Sequence, residues 1–234
     1  MTTKTKPIYA LGIVAHPDDE SFLFAGTSLM LASEGKKVGV VSATKGEMGA
    51  DRLNRKLSKK QMAVIRLAEG KKAGKIIKLT FVDFLNHPDG GLEQINFNKF
   101  VKELVKKIEQ HRPKIVLTFG REGISGHRDH IAIHRATVAA VKQARHKPDS
   151  LLLASLPSSA MPAFNKHLLT RKVHHSHFKP QPLKGVADNK LLKIDIGKFA
   201  KQKHKALKAH ESQYLPSFVL DVFQKYECFE VIMP

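Results

Sequence analysis

Short runs of apolar, often β-branched residues alternate along this chain with longer stretches whose apolar positions return at helical spacing. Such alternation marks a parallel sheet whose strands are joined by helices. The first run, Ile8–Ala15, predicts a buried strand, followed by a helix from Glu20 to Glu34 that Gly35 stops. Val38–Thr44 predicts a second strand, and Ser58 caps a helix running to Ala73. Ile76–Phe84 predicts a third strand, and Pro88-Asp89-Gly90-Gly91 a turn. A helix over Phe97–Gln110, a fourth strand over Lys114–Phe119, a helix over Asp129–Ala144 and a fifth strand over Leu151–Ser155 follow. Pro157, Pro162, Pro180 and Pro182 then mark a loop-rich part, about 156–195, with a strand over Val173–Phe178. A helix over Gly197–Ser212 and a strand over Glu227–Ile232 come last. The expected architecture is a single α/β domain over 1–234, with a Rossmann-like, mostly parallel sheet and helices on both faces.

Composition narrows the classes. Hydrophobic residues make up 42% and charged residues 26%, enough apolar material for a packed core. Cys228 is the only cysteine, which excludes a disulfide scaffold and Cys-based metal sites. The longest uncharged run, Ser150–Asn165, is sixteen residues and carries two prolines, so no membrane span is expected. His16-Pro17-Asp18-Asp19-Glu20 interrupts the N-terminal apolar patch at once, which is unlike a signal peptide, and a cytoplasmic protein is expected.

The net charge of +19 is unusual and sits between residues 51 and 210, which carry +22. Lys56/Lys59/Lys60, Lys71/Lys72/Lys75/Lys78 and Lys198/Lys201/Lys203/Lys205/Lys208 fall at spacings that suit solvated helix faces. An anionic partner is the functional counterpart of that reading. A basic nucleic-acid-binding module is the alternative class, yet Trp is absent, Tyr numbers three, and no zinc-finger, RRM or KH signature occurs. No stable nucleic-acid complex is therefore expected.

Two segments carry chemistry. Ala15-His16-Pro17-Asp18-Asp19-Glu20 lies where a buried strand gives way to a helix, the place where open α/β sheets bind ligands. A histidine and adjacent carboxylates there repel and desolvate one another unless a cation compensates them, and His16 and Asp19, three apart on a tight turn, can face one point. Simple helix capping by the three acids is the plainer reading. A nucleotide site is disfavoured, because this turn lacks the glycines and would repel a pyrophosphate. Gly126-His127-Arg128-Asp129-His130 follows the fourth strand, at the same sheet edge. Together the segments offer His, Asp and His. Three N/O ligands with a place left for water are the equipment of a catalytic metal that hydrolyses amides or esters. The other histidine patch, His174/His175/His177, reads as structural or surface.

At these residues the chain resembles the LmbE-like (PIG-L type) metal-dependent de-N-acetylases, whose marks are (A/P)HPDDE after the first strand and a later GHxDH. Weaker likenesses lie at Lys45-Gly46-Glu47-Met48-Gly49, at Arg66, Glu69 and Ala73, at Phe84–Gly90 and at Lys205–Gln213, so the resemblance spans about 8–213. It implies metal ligation by His16, Asp19 and His130. It implies Asp18 as general base and His127 as the group that protonates the leaving amine or stabilises the oxyanion, with Asp129 orienting it. Glu47, Arg66, Asp89 and Arg128 are implied at the substrate. Arg128 stands where a proline is frequent, and Ser125 where some members have a tyrosine. The implied activity is zinc-dependent removal of acetyl from an N-acetylglucosamine conjugate. Fe2+, Mn2+ or Co2+ would suit the same donors. An anionic group on the part attached to the sugar is expected from the charge. A non-sugar amide as substrate and a homo-oligomeric state stay open.

Overall fold

The computed structural model describes residues 7–170, 182–213 and 225–234. Among them, seven strands form one sheet: β1 (Ala10–Val14), β2 (Val38–Thr44), β3 (Phe81–His87), β4 (Ile115–Phe119), β5 (Ser150–Ala154), β6 (Leu192–Asp195) and β7 (Tyr226–Ile232). The helices are α1 (Asp19–Leu23), α2 (Ala25–Ser33), α3 (Lys59–Ile76), α4 (Phe97–His111), α5 (Gly123–Gly126), α6 (Arg128–Gln143), α7 (Met161–Thr170) and α8 (Ala200–Ala209). The strand order is β3-β2-β1-β4-β5-β7-β6. The first five run parallel, and β7 lies antiparallel between β5 and β6, so the expected mostly parallel α/β sheet is the one found.

All residues of β1 and β2 are buried, which explains their unbroken apolar runs. β1 is central: Ala10 stands opposite Val38 on one side and Ile115 on the other. The chain steps outward from β1 to β3, then restarts on the far side of β1 with β4. Right-handed crossovers therefore send α1, α2 and α3 to one face and α4 and α6 to the other. In keeping with this, α4 packs on α6, while α8 packs on α1, α2 and α3. The loops leaving β1 and β4 part over opposite faces and open a crevice at the carboxyl end of the sheet.

Several elements differ from expectation. The helix expected over Glu20–Glu34 is two, broken at Phe24 (φ −150°, ψ 24°). Phe24 turns inward over Gly12, where an added Cβ would collide with its ring. The third strand starts at Phe81, not Ile76, because α3 continues to Ile76 and ends in a Schellman turn. There Leu79 N–H donates to the Gly74 carbonyl (2.8 Å), and Lys78, at φ 62°, takes the left-handed place usually held by glycine. Within the loop-rich part lie α7 and the four-residue edge strand β6, both unexpected. The strand expected over Val173–Phe178 and the patch His174/His175/His177 lie outside the described residues. The helix expected over Gly197–Ser212 is a 3-10 turn, Gly197–Phe199, followed by α8.

Lys203 is not a surface lysine. It is buried, with Nζ donating to Glu227 (2.6 Å) and to the Phe22 carbonyl (2.8 Å). Glu227 in turn accepts the N–H groups of Gly26 (2.9 Å) and Thr27 (2.7 Å), the first-turn amides of α2, a helix with no local side-chain cap.

Candidate active site

His16 follows the end of β1, where the Ala15 carbonyl accepts Thr44 N–H and Thr44 Oγ1, both at 3.0 Å. Asp19 opens α1 and folds back: its Oδ2 accepts the N–H groups of Ala15 (3.1 Å) and His16 (2.7 Å). From the other side, the turn after β4 delivers His127 as N-cap of α6, then Asp129 and His130. The His130 ring stacks on Phe119, with centroids 4.0 Å apart. The two segments that the sequence separates by over a hundred residues thus meet in the crevice.

Hydrogen bonds fix which ring nitrogens carry protons. His130 Nδ1 faces the Gly123 carbonyl at 3.0 Å and must donate to it, so Nε2 presents a bare lone pair. His16 Nε2 faces Asp89 Oδ1 (3.1 Å) and Asp129 Oδ2 (3.2 Å) and must carry a proton, so Nδ1 is the nitrogen turned to His130. His16 Nδ1 and His130 Nε2 then stand 3.2 Å apart, with Asp19 Oδ2 3.6 Å from the first and Asp19 Oδ1 3.3 Å from the second. Two imidazole nitrogens and a carboxylate gathered in a buried place are compensated by a proton between the rings or by a cation among all three. Ligands around tetrahedral zinc, at bond lengths near 2.0–2.1 Å, lie about 3.3–3.4 Å apart, so this triangle suits such an ion. Donor atoms of His127 also lie within 4.8 Å of those of His16 and His130, as do those of Asp89 and Asp129 around His16.

The electrostatics follow from burial and neighbours. Burial opposes charge on His16, but hydrogen bonds to Asp129 and Asp89 and the charge of Asp19 lift its pKa well above 6.5. Burial would raise Asp19, yet the charge and hydrogen bond of His130 bring it to about 2. Asp18 goes the other way: burial, reinforced by Asp19 and opposed by Arg66, raises it to about 6. Burial, with the His130 and His16 rings beside it, lowers His127 to about 2.

The remaining residues singled out in the sequence take distinct places. Asp89 is at the cluster, accepting Met48 N–H (2.8 Å) and touching His16. Glu47 backs it, with Oε1 accepting Asp89 N–H (3.0 Å), while its buried Oε2 has no hydrogen-bond partner among the described residues. Arg66 is buried and occupied: Nη1 donates to the Gly46 carbonyl (2.9 Å) and Nη2 to the Pro17 carbonyl (2.6 Å), and Nη2 forms an ion pair with Asp18 Oδ1 (3.1 Å). Arg128 stays at the rim, 3.6 Å from Glu93. Asp129 meets His127 through its backbone N–H, which donates to His127 Nδ1 (3.2 Å), while its carboxylate faces His16. The sequence alone gives Glu20 no role beyond helix capping and gives His210 none. His210 falls in a segment that carries the family resemblance, which is the one signal available for it.

Fold and site together define a family. Residues 11–141, more than half the chain, match the family model described as PIG-L: GlcNAc-PI de-N-acetylase, and the chain belongs to this family. Among curated relatives, the 1D-myo-inositol 2-acetamido-2-deoxy-alpha-D-glucopyranoside deacetylase of Mycobacteroides abscessus is 30% identical over 223 residues, covering 85% of this chain and 79% of that protein. The Acidothermus cellulolyticus protein of the same name is 33% identical over 168 residues, and the match spans 62% of this chain but only 57% of that relative's length. The conserved protein TT1542 of Thermus thermophilus shares the fold, with a TM-score of 0.68 at 22% identity, covering 95% of this chain and 93% of that one.

Proposed function

We propose that this chain is a metal-dependent hydrolase that removes the acetyl group from an N-acetylglucosamine conjugate. The observation that carries the reading is the convergence of His16 Nδ1, His130 Nε2 and the Asp19 carboxylate on one point, with Asp18 alongside. His16, Asp19 and His130 would hold the ion, and zinc suits two imidazoles and a carboxylate, as Fe2+, Mn2+ or Co2+ also would. When bound, such a cation polarises the amide carbonyl and makes water a better nucleophile near neutral pH. Asp18 is the base. Arg66 occupies its Oδ1, so Oδ2 takes the proton as water adds to the acetyl carbon. The C–N bond then breaks, and that proton leaves with the amine. His127 Nδ1 accepts from Asp129, so the neutral ring keeps its proton on Nε2 and serves as a donor to the developing oxyanion.

The substrate's second part is anionic on this reading. Beside Glu47, a cavity of about 310 Å³ is lined by Lys45, Lys59, Lys60, Asn86 and His87. None of these three lysines has a carboxylate partner among the described residues. The decisive experiment is acetate release by the metal-loaded protein from a panel of N-acetylglucosamine conjugates: inositol, malate, phosphate and a neutral methyl glycoside. Hydrolysis of one or more supports the proposal. A folded, metal-loaded protein that releases no acetate from any of them sinks it.

A further inference from the structure

Asp18 has φ 133°, a backbone conformation that residues with a Cβ rarely adopt. Such a residue keeps its place only where its surroundings over-determine it. Three contacts do so here. The Asp18 carbonyl accepts Ser21 N–H (2.9 Å) and Phe22 N–H (3.2 Å), which ties it to α1. Arg66 grips both the Asp18 carboxylate and the preceding Pro17 carbonyl. The Asp18 N–H donates to Glu20 Oε2 (3.1 Å).

That last contact is itself supported. Glu20 is 1% exposed, and its other oxygen, Oε1, accepts Ser21 Oγ (2.8 Å) and His210 Nε2 (3.0 Å). His210, 2% exposed, stands at the end of α8, 190 positions away in sequence. The residues after it are pinned in turn. Ser212 donates its N–H (2.8 Å) and Oγ (2.6 Å) to the buried Glu69, and Gln213 Nε2 donates to the Ala50 carbonyl (2.9 Å). The imidazole is therefore delivered to Glu20 from a fastened segment.

A buried carboxylate rotates to wherever its donors are. With His210 in place, Oε1 is satisfied from one side, and Oε2 is left aimed at the Asp18 amide. Without it, Ser21 and the Asp18 amide remain as the donors seen here, and Glu20 is free to turn between them. An ordinary buried acid–imidazole pair would do no more than stabilise the fold. This one ends on the strained backbone of the residue assigned as base.

We propose that His210 is a positioning residue for Asp18, acting through Glu20 to hold the backbone conformation that aims the Asp18 carboxylate. The proposal rests on the reading of Asp18 as general base, and the test separates the two. Asp18→Asn, His210→Phe, His210→Gln and the Asp18→Asn/His210→Phe double variant are compared with the metal-loaded wild type on the conjugate it hydrolyses fastest. The readouts are kcat, KM, bound metal and thermal midpoint. A misplacement of about 1 Å can cost on the order of 10²-fold, so His210→Phe is expected to lower kcat by about 10- to 100-fold with KM and metal content unchanged. His210→Gln places an amide N–H near the Nε2 position and should recover most of that loss. In the Asp18→Asn background, His210→Phe should cost nothing further.

The proposal is overturned if His210→Phe lowers only the thermal midpoint and leaves kcat within about 2-fold, or if its effect adds in full to that of Asp18→Asn. Should His210→Phe not fold, His210→Asn, which withdraws the donor but stays polar, is read the same way. If neither folds while His210→Gln does, the role is structural and the proposal fails. An Asp18→Asn variant with near-normal kcat refutes the base reading itself. A lost Asp18→Asn activity beside an unaffected His210→Phe refutes only the positioning.

Discussion

Asp129 Oδ2 lies 3.2 Å from Nε2 of His16, and the same carboxylate accepts the N–H groups of Gly90 (2.7 Å) and Leu92 (3.0 Å). One fully buried side chain thus joins the segment after β4, the segment after β1 and the turn after β3. The imidazole it faces is that of His16, a member of the acid–histidine cluster, rather than that of His127. A carboxylate that takes the far N–H of a ligating imidazole fixes its tautomer and raises its basicity.

Asp129→Asn is therefore expected to weaken metal binding by about 10- to 100-fold, the usual cost of losing such a partner. His16→Ala and His130→Ala each remove one donor from the converging triangle and should abolish stoichiometric metal. Chelator competition with elemental analysis measures all three. Unchanged affinity in Asp129→Asn would assign its carboxylate to something other than His16.

Asp18→Asn should retain the metal and lose hydrolysis by about 10²- to 10⁴-fold, the range for removing a general base. The amide keeps the shape and the Arg66 contact through its oxygen, but it cannot accept a proton. Acetate release at saturating metal is the measurement. Near-normal turnover would move the base elsewhere, with Glu47 the next carboxylate to examine.

The buried pair Lys203–Glu227 should respond asymmetrically. Glu227→Leu takes the paired carboxylate from the buried Lys203 ammonium and also strips the α2 amides of their acceptor, a loss of about 3–5 kcal/mol by analogy with broken buried pairs. Lys203→Met leaves Glu227 with the N–H groups of Gly26 and Thr27 and the Thr27 hydroxyl, and should cost less. Urea unfolding of both variants decides. Equal losses would mean that the helix-capping contacts contribute nothing.

His210 gives a pH dependence of known sign. Burial disfavours its charge and Arg66 opposes it, but Glu20, with Asp18 beyond, outweighs both and raises its pKa above 6.5. A raised folded-state pKa contributes stability that is complete below the unfolded value and is lost as pH rises through the folded one. The thermal midpoint of the wild type, relative to His210→Gln, should fall as pH rises above about 6.5. A difference between the two that stays flat from pH 6 to 9 would show that folding leaves the His210 pKa unshifted.

The lysine-lined cavity predicts a salt effect. For a carboxylate- or phosphate-bearing conjugate, kcat/KM should fall as ionic strength rises, and a Lys59→Gln/Lys60→Gln variant should lose that sensitivity. The neutral methyl glycoside should be nearly indifferent to both. Equal salt responses for charged and neutral substrates would return these lysines to plain solvated surface.

Strand periodicity and the two acid–histidine segments make most of this legible in the chain itself. β1, β2, β4 and β5 are apolar runs, β7 is a mixed strand that includes Glu227 and Glu230, and a strand-end rule is enough to place His16 and His130 at one sheet edge. What escapes is decided by distant or unusual partners. The break at Phe24 depends on the ring filling the space over Gly12 and on Glu227 accepting the first amides of α2 from some 200 positions away. The late start of β3 depends on Lys78 in a left-handed turn where glycine would have been the signal. Lys203 stands three and four positions before the buried Ala206 and Leu207, so helical spacing puts it on the inner face, but its residue type reads as surface until Glu227 is seen as its partner. Likewise, no local pattern shows that Asp129 turns to His16, because the two residues meet only in the folded crevice.

The place of β7 has a consequence for the order in which a ribosome delivers this fold. Once residue 154 has emerged, every strand from β1 to β5 has its parallel neighbours, and the acid–histidine cluster has all its members. The outer edge of β5, the sheet contact of β6 and the acceptor for the α2 amides must all wait for residues 226–232. A nascent chain stalled before that point would carry an assembled acid–histidine cluster beside an open, apolar β5 edge, the kind of surface that pairs with other chains. The late strand therefore acts as a closing seam, and the chain is most vulnerable to aggregation in the interval before it arrives.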